Sequence, residues 1–132
     1  GGELRGKAEV YADIRPAFVR WRRNGILIAI FSSGSVQAQR NLFANTTAGD
    51  LSPFLYDYFD TKTGSKREPQ SYRRIAAAMH QTPSDVLFVS DVVEELDAAR
   101  EAGLRTAFCV RGTDAPVETH RHARIRSFDE LA

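Results

Sequence analysis

Ile26-Leu27-Ile28-Ala29-Ile30-Phe31-Ser32-Ser33-Gly34-Ser35 is the stretch whose reading decides the fold. Six apolar residues in a row predict a strand covered on both faces, because a half-exposed strand would alternate with polar residues. The serine-rich turn follows at once, and Ser35 opens a helix predicted to reach about Phe43. A strand, a polar turn and a helix in that order form a unit of an open parallel α/β sheet, where ligands bind beyond the carboxyl ends of the strands.

The same unit recurs downstream. Val86-Leu87-Phe88-Val89 predicts a second buried strand. Ser90-Asp91 follows it, then a helix from about Glu94 to Ala102 that stops at Gly103, a residue suited to the left-handed conformation of a helix end. Thr106-Ala107-Phe108-Cys109-Val110 predicts a third strand, and Tyr58-Phe59 a brief fourth. Between them, Asp13 is placed to cap a helix carrying Ile14, Phe18 and Trp21 on one face and ending at Asn24-Gly25. Another helix runs from about Pro69 to His80 with Tyr72, Ile75 and Met79 as its buried stripe. A short helix is expected at Pro53, and Gly112 to Arg126 reads as a loop-rich tail before a short terminal helix at Ser127. Strands separated by helices imply right-handed crossovers into a parallel sheet. The 132 residues fit one domain, 1–132.

Composition narrows the function classes. With 42% hydrophobic and 27% charged residues the chain has an ordinary globular balance, and no apolar run approaches a membrane span. No signal peptide or lipidation motif is found. Net charge of +1 argues against nucleic acid, and Arg121, Arg124 and Arg126 read as a solvated face. Cys109, the lone cysteine, excludes a disulfide framework and makes a reducing cytoplasm the expected location.

Three short signals carry chemistry. Ser32, Ser33 and Gly34 offer hydroxyls and backbone N–H groups at a helix start, a cradle for phosphate, with Ser35 as a plain helix cap being the competing reading. Gly64-Ser65-Lys66 offers a point charge in a polar loop, which fits either a phosphate or a neighbouring carboxylate. Asp91, with Glu94 and Glu95 behind it, places carboxylates at a strand end, an arrangement suited to Mg²⁺. The acids Glu94 and Glu95 also suit the first turn of any helix. There is no Gly-x-Ser-x-Gly elbow.

In their order these residues resemble the haloacid dehalogenase-like phosphatases, and within them the enolase-phosphatases, also called acireductone synthases. Ser32-Ser33-Gly34-Ser35 with Val36, Ala38 and Gln39 is similar to the second motif of that family. Phe59 through Lys66 to Ser71-Tyr72 is similar to the third, and Ser90-Asp91 through Ala99 to the fourth. The resemblance extends from about Lys7 to Leu131. It implies a Rossmann-like parallel sheet of about four strands with helices on both faces, and a phosphorylated small-molecule substrate. Ser32, Ser33 and Gly34 would bind the phosphate, Lys66 would bind and stabilise it catalytically, and Asp91 would hold Mg²⁺ with Glu95 in support. The implied reaction is Mg²⁺-dependent enolisation and dephosphorylation of 2,3-diketo-5-methylthiopentyl-1-phosphate in methionine salvage.

One departure matters. The family's first motif, Asp-x-Asp or Asp-x-Glu with the nucleophilic aspartate, does not occur in the 132 residues. Asp60-Thr61-Lys62-Thr63-Gly64 has Lys62 where that motif needs an acid, so Asp60 aligns with the third motif. The resemblance therefore implies a truncated core lacking the family's first strand and cap, and inactive alone. Because that first strand lies in mid-sheet, a four-stranded sheet closed by direct pairing, a homodimer, or strand exchange through exposed edges is expected. Two other functions stand beside this one. The first is a phosphate-binding module without catalysis; the second is a hydrolase in which His80, His120 or His122 works with a serine, against which a solvated histidine is the plainer reading.

Overall fold

The computed structural model describes residues 7–112 and 122–132, and the chain divides into two compact units. The first comprises residues 1–61 with 131–132, the second 62–130.

In the first unit α1 (Ile14–Arg23) buries Ala17 and Phe18. It ends as Asn24-Gly25 predicts, with Gly25 at φ +75°. The Gly25 N–H donates to Arg22 O at 3.1 Å and the Ile26 N–H to Trp21 O at 2.9 Å, the paired bonds that close a helix through a left-handed residue. Asp13 stands at the N-cap position but makes no side-chain cap bond, because its backbone is already helical (φ −78°, ψ −13°), whereas capping needs an extended residue. Strand β1 is shorter than the apolar run suggests, Ala29–Phe31. Ile26 is spent on the helix stop and is exposed. β1 pairs in parallel with β2 (Asp57–Phe59), Ile30 opposite Tyr58. Helix α2 (Val36–Ala44) lies between them in sequence, and a 3₁₀ turn at Ser52–Phe54 marks the predicted helix at Pro53.

In the second unit α3 (Pro69–Ala78) begins on a proline at its first position, where the missing N–H costs nothing. Its predicted stripe is correct, since Tyr72, Ile75 and Met79 are all buried. Tyr72 meets Phe88 edge-on at 4.8 Å, a pair that contributes about 1 kcal/mol beyond its burial. After a 3₁₀ turn at Pro83–Asp85, β3 (Leu87–Ser90), α4 (Val93–Glu101) and β4 (Arg105–Cys109) follow. α4 closes through Gly103 at φ +97° as predicted. β5 (Ala123–Ile125) and a 3₁₀ turn at Phe128–Glu130 complete the unit.

The α/β class and the parallel pairing are as the sequence predicts, but the sheet is not one four-stranded layer. Among the described residues five short strands are hydrogen-bonded as two parallel sheets, β1-β2 in the first unit and β3-β4-β5 in the second. Each of β1 and β3 has one paired neighbour among the described residues. The expected two-faced burial is not reached there: β1 is half-buried throughout and Leu87 of β3 is 39% exposed, whereas Ala107 and Phe108 of β4, paired on both edges, are buried. β5 falls in the predicted loop-rich tail; three residues with Ile125 alone buried leave no hydropathy pattern to read, and the strand exists because β4 presents it a ladder.

Candidate functional site

The predicted site residues fall in both units, and the geometry of each is local. In the first, Ser32, Ser33 and Gly34 form the turn between β1 and α2. Ser32 Oγ accepts the Gly34 N–H at 3.2 Å, and Ser35 Oγ accepts the Ala38 N–H at 3.1 Å as a true helix cap. Buried Asp60, at the end of β2, accepts the Val36 N–H at 3.3 Å. Its place is thus at the start of α2, where a carboxylate complements the helix dipole. The backbone of Gly34 is not left-handed, and an added Cβ would lie 3.8 Å from Ser32 Oγ, an ordinary contact. The fold therefore does not require a glycine there.

Gln39 is the residue of this turn whose role the sequence does not announce. It is 4% exposed on the inner face of α2, and its Nε2 donates to Gly34 O at 2.9 Å and Phe59 O at 2.8 Å. One amide thus ties the turn to the end of β2. Among the described residues its Oε1 has no hydrogen-bond partner. A glutamine four residues after a capping serine was the available signal, but only burial shows which way it faces.

In the second unit the structure brings Lys66 and Glu95 together, Nζ to Oε1 at 3.2 Å. Glu95, spaced on α4 to face inward, is buried to 9% exposure and its Oε1 also accepts from Ser90 Oγ at 3.0 Å. Ser90 Oγ in turn accepts the Val92 N–H at 3.0 Å. The end of β3 is thus ordered by a chain of bonds running from Lys66 through Glu95 to Ser90. Asp91 follows directly and is exposed. Glu94 is exposed too, in the first turn of α4.

The loop carrying Lys66 is held by α3. Arg74 Nη1 donates to Thr63 O at 2.8 Å, Ser71 Oγ to Ser65 O at 2.6 Å, and the Tyr72 hydroxyl to Lys66 O. Burial pushes the Tyr72 phenol well above its ordinary value, with the Glu95 charge adding to it, so the group stays a neutral donor. Gly64, at φ +142°, would place a Cβ 2.3 Å from Ser71 Oγ.

The two described histidines, His80 and His122, hold structural places. His80 sits just past the end of α3 at φ +57°, closing the helix with its N–H on Ala77 O. His120 lies outside the described residues. His122 is not solvated: it is 5% exposed, with Nε2 2.7 Å from Asp97 Oδ1 and Nδ1 2.6 Å from Thr106 Oγ1. Both ring nitrogens are thus engaged by side chains. The ring ties α4, β4 and the residue before β5 together.

Oxygen donors dominate the end of β3. Among the described residues no three His, Cys, Asp or Glu gather into a metal cage. Mg²⁺ does not need one, since it takes one or two carboxylates and keeps its remaining positions for water and phosphate oxygens, so Asp91 beside Ser90 fits it.

Known proteins similar to this chain point to a family. The sequence profile of the haloacid dehalogenase-like hydrolases matches residues 1–103. Enolase-phosphatase E1 of Synechococcus elongatus is 54% identical over 130 residues, covering 98% of this chain and 54% of that protein. The protein of the same name from Sorangium cellulosum is 50% identical over 126 residues, covering 96% and 54%. The chain thus spans about half the length of these curated relatives. Among solved structures, the UTR4 protein of Saccharomyces cerevisiae matches with a TM-score of 0.85 at 36% identity, over 98% of this chain and 62% of that one. CbbY from Rhodobacter sphaeroides, in complex with phosphate, matches with a TM-score of 0.78 at 21% identity, over 98% and 59%, a likeness of fold alone.

Proposed function

The chain belongs to the haloacid dehalogenase-like hydrolases, and from that premise we propose that it carries the phosphate- and metal-binding residues of an enolase-phosphatase but not the nucleophile. The observation that carries this reading is the ion pair of Lys66 with Glu95 at the end of β3, next to Asp91. A lysine held against a buried carboxylate that is itself set by Ser90 is a fixed charge, and fixed charge is what phosphoryl chemistry asks of a protein. By their place in the family's motifs, Ser32, Ser33 and the Gly34 backbone are donors for phosphate oxygens in the first unit, and Lys66 is a cation for phosphate in the second. Asp91 is the direct Mg²⁺ ligand. Glu95 supports from behind, its Oε1 already shared by Lys66 and Ser90. Bound Mg²⁺ supplies charge neutralisation at the phosphoryl oxygens.

The substrate in this reading is 2,3-diketo-5-methylthiopentyl-1-phosphate and the setting is methionine salvage in the cytoplasm; the relatives' name, enolase-phosphatase, supports the phosphatase part of it. No helix among the described residues is long and apolar enough to cross a membrane. Attack on phosphorus needs a carboxylate that no Asp-x-Asp or Asp-x-Glu supplies in these 132 residues. The 132-residue chain by itself therefore binds without turning over, which is also what a phosphate-binding module would do.

The test measures binding and turnover together. With Mg²⁺ present, inorganic phosphate should bind the chain, binding should be lost in Lys66→Met and Asp91→Asn, and a diketo-phosphate analogue should not be hydrolysed above the Asp91→Asn background. Turnover that depends on Asp91 would mean that another carboxylate attacks phosphorus. Phosphate binding indifferent to Lys66 would sink the reading.

A further inference from the structure

Three residues of α3, each with a different donor, take hold of the loop that carries Lys66. Arg74 holds Thr63 O, Ser71 holds Ser65 O and Tyr72 holds Lys66 O. Within the loop the Ser65 carbonyl also accepts the Glu68 N–H at 3.2 Å, and Ser65 Oγ accepts the Arg67 N–H at 3.1 Å. Polar loop carbonyls ordinarily face water, so satisfying three of them with side chains from one helix costs ordering entropy that a surface loop has no need to spend.

Tyr72 differs from the other two. Ser71 is buried but short, and Arg74 reaches over from the exposed side. The Tyr72 ring is fully buried, with its edge contact to Phe88 in β3, two residues before Ser90. One side chain therefore joins the backbone of Lys66 to the strand that ends in Ser90 and Asp91. At the far end of the lysine, Nζ meets Glu95, which Ser90 orients. A lysine side chain carries large rotamer entropy and wanders unless both ends are fixed. Here its carbonyl end is held by Tyr72 and its ammonium end by Glu95, and both holds lead back to β3.

We propose that Tyr72, assisted by Ser71 and Arg74, is a positioning residue for Lys66: its hydroxyl sets the lysine backbone so that the ammonium keeps one place relative to the Ser90-Asp91 end of β3. The inference rests on the phosphate reading for its purpose, but the geometry stands apart from it. The phenol takes no part in proton transfer, since burial and the Glu95 charge keep it protonated. What it does is remove freedom from the charge before a phosphorylated ligand arrives, which strengthens binding without adding a contact.

The experiment uses Tyr72→Phe, which deletes the hydroxyl and keeps the ring on Phe88. Coupling between Lys66 and Glu95 is measured by a double-mutant cycle of Lys66→Met and Glu95→Gln in urea unfolding, in the native and the Tyr72→Phe backgrounds. Inorganic phosphate affinity with Mg²⁺ is measured on the same proteins. The expected result is a Lys66–Glu95 coupling that disappears in Tyr72→Phe, with phosphate binding about tenfold weaker. Arg74→Ala, at an exposed position, should show a smaller change in the same direction, and it carries the test if Tyr72→Phe does not fold. A Tyr72→Phe protein that is less stable but retains both the coupling and the phosphate affinity makes the phenol a structural bond only, and overturns the proposal. If Lys66→Met leaves phosphate affinity unchanged while the coupling still depends on Tyr72, positioning stands and the phosphate reading falls. If Lys66→Met weakens phosphate binding while Tyr72→Phe changes neither that binding nor the coupling, the reverse holds.

Discussion

The turn of Ser32-Ser33-Gly34 and the loop of Gly64-Ser65-Lys66 both offer a glycine beside polar side chains, yet the structure treats the two glycines differently. At Gly64 a left-handed backbone and a Cβ that would fall 2.3 Å from Ser71 Oγ leave no room for another residue. At Gly34 an alanine would fit, 3.8 Å from Ser32 Oγ. The first glycine answers to the fold. The second has no structural reason within the chain, and a glycine without one is what a close ligand would explain.

The largest effect should come from Gly64→Ala, which has to displace Ser71 and strain the backbone. We expect a loss of about 3 kcal/mol in urea unfolding. A loss under 1 kcal/mol would show that the loop gives way easily and would erase the contrast. Gln39→Leu comes next. It removes the donor from Gly34 O and Phe59 O, and should cost about 2 kcal/mol while loosening the serine turn. Hydrogen exchange of the Ser33 and Gly34 amides would report that loosening, and unchanged exchange would show the brace to be idle.

Alkaline pH gives a smaller, differential effect. The Tyr72 phenol is raised in the folded chain, so its contribution is complete below the unfolded value of about 10 and is lost as pH rises beyond it. Between pH 10 and 11.5 the native chain should lose stability faster than Tyr72→Phe; parallel losses would place the shift elsewhere. The smallest effect on stability belongs to Gly34→Ala, within about 0.5 kcal/mol. Its phosphate affinity should nevertheless fall several-fold in titration calorimetry. Undiminished affinity would return Gly34 to the status of an ordinary turn residue.

How much of this the sequence disclosed depends on the reach of each determinant. Helix stops at Gly25 and Gly103, the Ser35 cap and the Tyr72-Ile75-Met79 stripe are decided within a turn or two of chain, and they read correctly. The extent of β1, the existence of β5 and the partial exposure of Leu87 depend on which strand lies alongside, which no local pattern records. The candidate site divides the same way. Lys66 and Asp91 declare themselves by residue type and by position after a strand or in a polar loop. Glu95 facing Lys66, the Gln39 brace and the three-carbonyl grip of α3 are contacts across elements and need coordinates. His122 misled for the same reason: a polar tail suggests a wet histidine, while Asp97 and Thr106, 25 and 16 residues earlier in the chain, make it a dry one.

His80 offers a last consequence. At φ +57° it fills a helix-closing position that Gly25 and Gly103 fill for α1 and α4, and its side chain is exposed. An L-residue there works against its own backbone by about 1 kcal/mol. His80 is thus unclaimed headroom for anyone engineering a sturdier variant. His80→Gly should raise the melting temperature by a few degrees without disturbing either loop, and it gives a hardened background in which the costlier substitutions above could be made and still leave a folded protein to measure.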